Sequence, residues 1–228
     1  MSSIVKICGL STPSSLEAAL VAGADMVGFV FFEKSPRHVS LDQAAELGRK
    51  ACGRAKIVAL TVDAGDAALE DIVAALAPDV LQLHGRETPV RVAAIGRTFG
   101  VATMKAIGVA ADEDLAAAKD YAGVADLILF DAKPPKDARL PGGNGAPFDW
   151  RLLEKGSLDG RYLLSGGLDA DNVAEAIVLS GALGVDVSSG VESAPGVKDN
   201  SKIAVFVARA RDAFAGRRAS ATFAGRVA

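Results

Sequence analysis

A thiol and a carboxyl hold comparable places in this chain of 228 residues. Cys8 closes the run Ile4-Val-Lys-Ile-Cys8 just before Gly9, and Asp131 closes Leu127-Ile-Leu-Phe-Asp131. Free cysteine ordinarily packs as a small hydrophobe, whereas a carboxylate is rarely buried unless paired, so Asp131 is the stronger pointer to chemistry. Other polar side chains stand at or near the ends of similar runs: Asp63, His84, Lys105 and the pair Ser188–Ser189. Arg37 lies in the segment Phe32-Glu-Lys-Ser-Pro-Arg-His-Val-Ser40. Lys105 reads either as a Schiff-base nucleophile or as the ion-pair partner of a carboxylate. Two further segments, Ser165-Gly-Gly-Leu168 and Ser188-Ser-Gly-Val-Glu192, carry glycines that let backbone N–H groups approach a ligand closely. Following the last two strands of a barrel, such loops form a recurring phosphate site. Gly166, Gly167, Ser188, Ser189 and Gly190 are therefore expected to hold a phosphate group.

The elements that must position these groups are short, continuous, β-branched runs: Ile4–Cys8, Met26–Phe31, Lys56–Val62, Val80–His84, Val101–Ile107, Leu127–Asp131, Tyr162–Ser165 and Val185–Ser188. Continuous rather than alternating hydrophobicity predicts strands buried on both faces of a parallel sheet. Helical segments are predicted at Pro13–Val21 after Thr12, Leu41–Lys50 after Ser40, Ala67–Leu76 after Asp66, Asn172–Leu179 after Asp171, and Ser201–Phe214. Thr12 with Pro13 is an N-cap followed by proline at the first helical position, and Gln43 gives Ser40 most of a capping box. Alternating strands and helices in eight units, about 28 residues each, predict an α/β fold of the (β/α)8 TIM-barrel type. The competing doubly wound sheet would carry a G-x-G-x-x-G fingerprint after its first strand, and Cys8-Gly-Leu-Ser11 is not one. A single domain is expected over residues 1–215, with 216–228 a short, flexible, disordered tail.

Composition narrows the function class. Half the residues are hydrophobic and 23% are charged, the balance of a soluble globular chain. Twenty-eight acidic against 25 basic residues give a net charge of −3, which does not suit a nucleic-acid binder. The amino terminus has no apolar signal segment, and no run is long enough to span a bilayer. Two cysteines, Cys8 and Cys52, favour a reducing compartment. The sequence therefore reads as cytoplasmic, without membrane or nucleic-acid partners.

Several motifs together resemble the phosphoribosylanthranilate isomerase family. They are Lys6-Ile-Cys-Gly-Leu10, Leu81-Gln-Leu-His-Gly85, Leu129-Phe-Asp131, Pro141-Gly-Gly-Asn-Gly145 with Phe148-Asp-Trp150, Ser165-Gly-Gly-Leu168 with Asn172-Val173, and Gly184-Val-Asp-Val-Ser-Ser-Gly-Val-Glu192. They run in order from residue 6 to about residue 202. The resemblance implies a cofactor-free, metal-free barrel enzyme of tryptophan biosynthesis, acting on a small phosphoribosyl substrate as a monomer or homodimer. The implied reaction is the Amadori rearrangement of N-(5-phosphoribosyl)anthranilate to 1-(2-carboxyphenylamino)-1-deoxyribulose 5-phosphate. Carried over position by position, it makes Cys8 the general base and Asp131 the general acid, places Arg37 at the anthranilate carboxylate, and makes His84 a substrate-binding residue. The phosphate loops match Gly166–Gly167 and Ser188–Ser189–Gly190.

Elementary geometry agrees with those roles. Strands one and six of an eight-stranded barrel stand three steps apart, so their mouth residues lie on the order of 14 Å apart at Cα, leaving room for one sugar. A thiol titrates near 8.5, so Cys8 needs a nearby positive charge or amide donors to act as a base. Lys6 shares its face by parity, one layer lower. Asp131 has the opposite requirement, a proton retained through burial. Sister barrels acting on phosphorylated sugars share the phosphate loops. An indole-glycerol-phosphate synthase would want a catalytic lysine and glutamate, and a ProFAR isomerase an aspartate where Cys8 stands. A metal-dependent epimerase would want more ligands than His38 and His84 supply. A non-catalytic barrel that merely binds a sugar phosphate is separated from all of these by turnover.

Overall fold

The computed structural model describes residues 3–133, 148–155 and 162–224. Eight parallel strands close a barrel in sequential order: β1 Ile4–Cys8, β2 Met26–Phe31, β3 Lys56–Thr61, β4 Val80–Leu83, β5 Ala102–Val109, β6 Leu127–Ala132, β7 Tyr162–Leu164 and β8 Gly184–Val187. A short antiparallel pair, β9 Glu192–Ala194 and β10 Val197–Lys198, follows the eighth strand. Around the barrel stand α1 Pro13–Ala22, α2 Leu41–Ala51, α3 Asp66–Leu76, α4 Pro89–Phe99, α5 Asp112–Ala118, α6 Val173–Ser180 and α7 Asn200–Ala224. Among the described residues, no helix is long and apolar enough to cross a membrane.

Strand parity sorts the side chains into two cores. Val5, Ile7, Val27, Phe29, Ile57, Leu81, Ile107, Phe130 and Val185 belong to one apolar cluster that also takes in helix residues such as Leu16, Leu47, Leu69 and Phe206. The alternate positions Met26, Val58, Val80, Met104, Leu129 and Leu163 fill the lower barrel interior, and Cys8, Val30 and Leu60 lie above them. Side chains of successive residues point to opposite faces of a strand. Lys6, Cys8, Gln82, Asp131 and Asp186 therefore share the inward parity, while Lys105 does not.

Local chemistry explains the helix boundaries. Thr12 accepts from Ser15 N ahead of Pro13. The capping box of Ser40 and Gln43 is complete rather than partial. At α3 the cap is Gly65, with Asp66 the first helical residue, and α6 is preceded by Asn172 rather than Asp171. The helices α4 and α5 are additions to the five that periodicity suggests. Thr88 caps α4 ahead of Pro89, repeating the Thr12-Pro13 signature. The last helix does not end at Phe214: it continues past Gly216 to Ala224. There Arg217 donates to Ile177 O at 3.2 Å and Arg218 to Ser3 Oγ at 3.2 Å, so the first turns of the expected tail are helical.

Candidate active site

The carboxyl-terminal ends of the strands open on a cavity of about 670 Å3, counting space open to solvent. Its lining includes Cys8, Arg37, His84 and Asp131 together with Gly166, Gly167, Ser188 and Ser189. The thiol and the carboxyl expected to do chemistry thus face one space, from β1 and β6. Both are deeply set, at 3% and 4% exposure.

On the β6 side, Asp131 Oδ1 accepts from Ala132 N at 2.9 Å, and Oδ2 lies 3.2 Å from His84 Nε2. His84 follows β4 directly, and its ring stands beside the carboxyl across the mouth. On the β1 side, register places Lys6 beside Asp186 of β8 and Cys8 beside Gly28 of β2. Lys6 Nζ meets Asp186 Oδ1 at 2.8 Å, with both side chains buried. Burial pushes the Cys8 thiol up from its ordinary range, the charge of Asp186 adds to this, and Lys6 and Lys198 work against it. Lys6 is held above the ordinary lysine range: burial disfavours its charge, but Asp186 and the Cys8 sulfur outweigh that penalty.

The glycine side of the mouth, where a phosphate is expected, is built from two interlocked loops. Gly166 and Gly167 both adopt positive φ, +87° and +66°, a conformation that costs glycine little. Asn172 stitches this loop, donating from Nδ2 to Gly167 O at 2.8 Å and accepting from Asp169 N at 2.9 Å. Gly190 is not part of the cavity lining. It sits where a Cβ would collide with the Leu168 carbonyl, so the missing side chain allows the close approach of one loop to the other. Lys198 lies behind Ser188 and donates to Ser188 O at 2.8 Å, to Ser188 Oγ at 3.2 Å and to Glu192 Oε1 at 2.8 Å. Its pKa is lowered, chiefly by burial, with Glu192 opposing the shift.

Arg37 lines the cavity, but the carboxylate it meets in the fold is Glu192. Nε donates to Oε1 at 2.7 Å and Nη2 to Oε2 at 2.9 Å. This pair holds the β2–α2 loop against the β9–β10 hairpin, and it holds Glu192 below the usual carboxylate range despite burial. A guanidinium has five N–H donors, so the Nη1 edge of Arg37 remains outside this fork. Two mouth candidates are placed elsewhere. Lys105 pairs with Glu87 at 2.8 Å and donates to Leu83 O and Gly85 O at 3.1 and 2.7 Å, so it is the ion-pair partner, not a nucleophile. Asp63, at φ +50°, accepts from Arg86 N at 2.6 Å and serves the loop.

Sequence reasoning passed over Asp186, Glu192, Lys198 and Gln82 as site residues. Inward parity at a strand end was available for Asp186. For Gln82, both polar side-chain atoms are buried without a hydrogen-bond partner while the residue lines the cavity. Glu192 and Lys198 belong to a hairpin that no strand pattern announces. The Pro141–Gly145 motif lies outside the described residues.

The model of a family described as "N-(5'phosphoribosyl)anthranilate (PRA) isomerase" matches residues 5–209. An N-(5'-phosphoribosyl)anthranilate isomerase from Rhodopseudomonas palustris strain HaA2 is 61% identical over 211 residues, covering 92% of this chain and 97% of the relative. One from Bradyrhizobium diazoefficiens is 61% identical over 92% of this chain and 95% of its own length. Among solved structures, phosphoribosyl anthranilate isomerase from Thermotoga maritima superposes with a TM-score of 0.80 at 32% identity, covering 93% of this chain and all of that one. A phosphoribosyl anthranilate isomerase complexed with reduced 1-(o-carboxyphenylamino)-1-deoxyribulose 5-phosphate superposes at 0.78 and 31%, with the same coverage.

Proposed function

The chain belongs to the N-(5'-phosphoribosyl)anthranilate isomerase family, and from that premise we propose how its barrel mouth performs the reaction. The activity is the aldose–ketose isomerisation of N-(5'-phosphoribosyl)anthranilate, an intramolecular redox change in tryptophan biosynthesis. Asp131 acts as general acid, giving its proton to the furanose ring oxygen. The carbon–oxygen bond breaks as the anilino nitrogen lone pair forms a protonated Schiff base. Cys8, as thiolate, removes the proton from the adjacent sugar carbon, and the released pair makes the carbon–carbon double bond of an enolamine. The enolamine tautomerises to the ketone, and solvent returns Cys8 and Asp131 to their starting states.

The observation that carries this reading is that Cys8 and Asp131 line one cavity from β1 and β6, with the paired glycine loops on the same rim. A sugar between them has its ring oxygen and its carbon-bound proton presented to opposite groups. His84 orients Asp131 across the 3.2 Å contact. Gly166, Gly167, Ser188 and Ser189 take the phosphate, whose remote binding energy positions the sugar, and Gly190 lets their loops close together. Arg37, oriented by Glu192, offers its Nη1 edge to the anthranilate carboxylate as a charge-assisted donor. Each of these residues comes from one chain, so a monomer carries a whole site and a homodimer carries two.

The test is a fluorescence assay for consumption of phosphoribosylanthranilate by wild type, Cys8→Ser and Asp131→Asn. General acid–base groups contribute about 10²–10⁴-fold each, so each variant should lose at least about a hundredfold in kcat while retaining inorganic phosphate binding. Wild-type turnover in either variant would overturn the assignment of that residue. Phosphate binding without any turnover by the wild type would favour a binding-only barrel.

A further inference from the structure

Lys6 is a charged side chain with no exposure at all, on the inward face of β1, two residues before Cys8. Its ammonium meets the Asp186 carboxylate at 2.8 Å, and the Cys8 sulfur stands above it on the same inward face of β1. The meeting point lies over Gly28 of β2. A Cβ there would stand 3.0 Å from Cys8 Sγ and 3.4 Å from Lys6 Nζ, so the missing side chain is what gives sulfur and ammonium a common space. The charged groups around the sulfur are Lys6 from β1, Asp186 from β8 and Lys198 from the hairpin. Lys198 directs its donors to Ser188 and Glu192. Lys6 is therefore the cation that shares the space over Gly28 with the sulfur.

We propose that Lys6 is the positioning residue for the base: its ammonium, set between Asp186 and Cys8, offsets the burial of the sulfur and so favours the thiolate that abstracts the proton. This rests on the reading of Cys8 as general base. Burial alone would leave the thiol protonated and inert. Lys6 is the largest influence opposing that burial, and Asp186 acts in the other direction. Asp186 and the Cys8 sulfur both favour the charged form of Lys6 against burial, so without Asp186 the sulfur is left as the ammonium's counter-ion. During the reaction the thiolate takes the carbon-bound proton and becomes a thiol, and Lys6 keeps all three of its protons. The ammonium thus serves as a fixed charge and not as a second acid.

The test reads the sulfur directly, without relying on turnover. In a Cys52→Ser background, which removes the exposed second thiol, the rate of Cys8 alkylation by iodoacetamide is followed against pH. Lys6→Met should slow alkylation at pH 7 about tenfold, because the thiolate fraction changes tenfold per unit of pKa. Asp186→Asn should accelerate it, because it removes the anion that competes for the ammonium. Lys6→Met/Asp186→Asn leaves no lone buried charge, so it folds even where Lys6→Met does not, and it should still react more slowly than the wild type. A profile unmoved in the double variant, or moved upward by Asp186→Asn, overturns the proposal. A merely structural ion pair would not move the two single variants in opposite directions. With phosphoribosylanthranilate, Lys6→Met should lower kcat with little change in KM. Should the wild type alkylate as expected yet turn nothing over, the isomerase reading falls while the role of Lys6 toward the sulfur stands.

Discussion

Lys6 and Lys105 are both buried lysines on barrel strands, and strand parity gives them opposite roles. Lys6 points inward beneath the Cys8 sulfur, whereas Lys105 points outward, where Glu87 and two carbonyl oxygens take its donors. Glu192 shows the same dependence on direction. It neutralises one of the two cations it touches, Arg37 and Lys198, and the trio retains one net positive charge near a mouth expected to receive anions. Its folded-state pKa is depressed, so the stability it contributes is present above the unfolded carboxylate pKa and is lost as pH falls through the lower folded value. Glu192→Gln should cost about 3 kcal/mol at neutral pH, as breaking a buried pair does. Urea unfolding between pH 7 and pH 3 should also show a shallower loss of stability than in the wild type, and the variant should raise KM by releasing Arg37. An acid limb as steep as that of the wild type would assign the pH dependence to other carboxylates.

Three aspartates do equivalent work where helices return to strands. Asp25 precedes β2 and accepts from Val5 N of β1 at 2.7 Å. Asp79 precedes β4 and accepts from Ile57 N of β3 at 2.8 Å. Asp126 precedes β6 and accepts from Thr103 N of β5 at 2.7 Å. Each satisfies a backbone donor at the amino-terminal end of the barrel, the face where polar residues support stability rather than chemistry. Asp126→Ala leaves the Thr103 N–H and hydroxyl without that acceptor, so it should cost roughly 1–3 kcal/mol in thermal or urea unfolding while kcat and KM stay at wild-type values. A change in kcat would show that the two ends of the barrel are coupled. The repeat is visible in the sequence as Ala24-Asp-Met26, Pro78-Asp-Val80 and Ala125-Asp-Leu127, and so is the Thr-Pro start of α4. Only the pairing of neighbouring strands tells what those aspartates bond.

Across the whole molecule the closing element is α7, which packs against α1, α6 and β1 and joins the end of the chain to its beginning. Arg211 reaches Ser3 O and Asp25 at 3.1 and 2.6 Å, Arg217 reaches Ile177 O, and Arg218 reaches Ser3 Oγ. Ending the chain at Gly216 removes the last two of these arginines. The midpoint of thermal unfolding should fall by about 2–4 °C for each kcal/mol lost in a chain of this size, with unchanged turnover because the mouth is untouched. A loss of kcat in a folded truncated protein would show that the helix end acts on the site.

The eight strands, their closure into a barrel, and the thiol, carboxyl and glycine loops at the strand ends are legible in residue order, because buried parallel strands and glycine turns are local patterns of residue type. Tertiary structure alone decided which charges answer which. Lys6 meets Asp186 across 180 residues, and Arg37 meets Glu192 across 155. Neither distance leaves any periodic trace in a sequence. Whether a buried lysine tunes a sulfur or braces a loop depends on strand register and on inward or outward direction, and both are set only when the barrel closes.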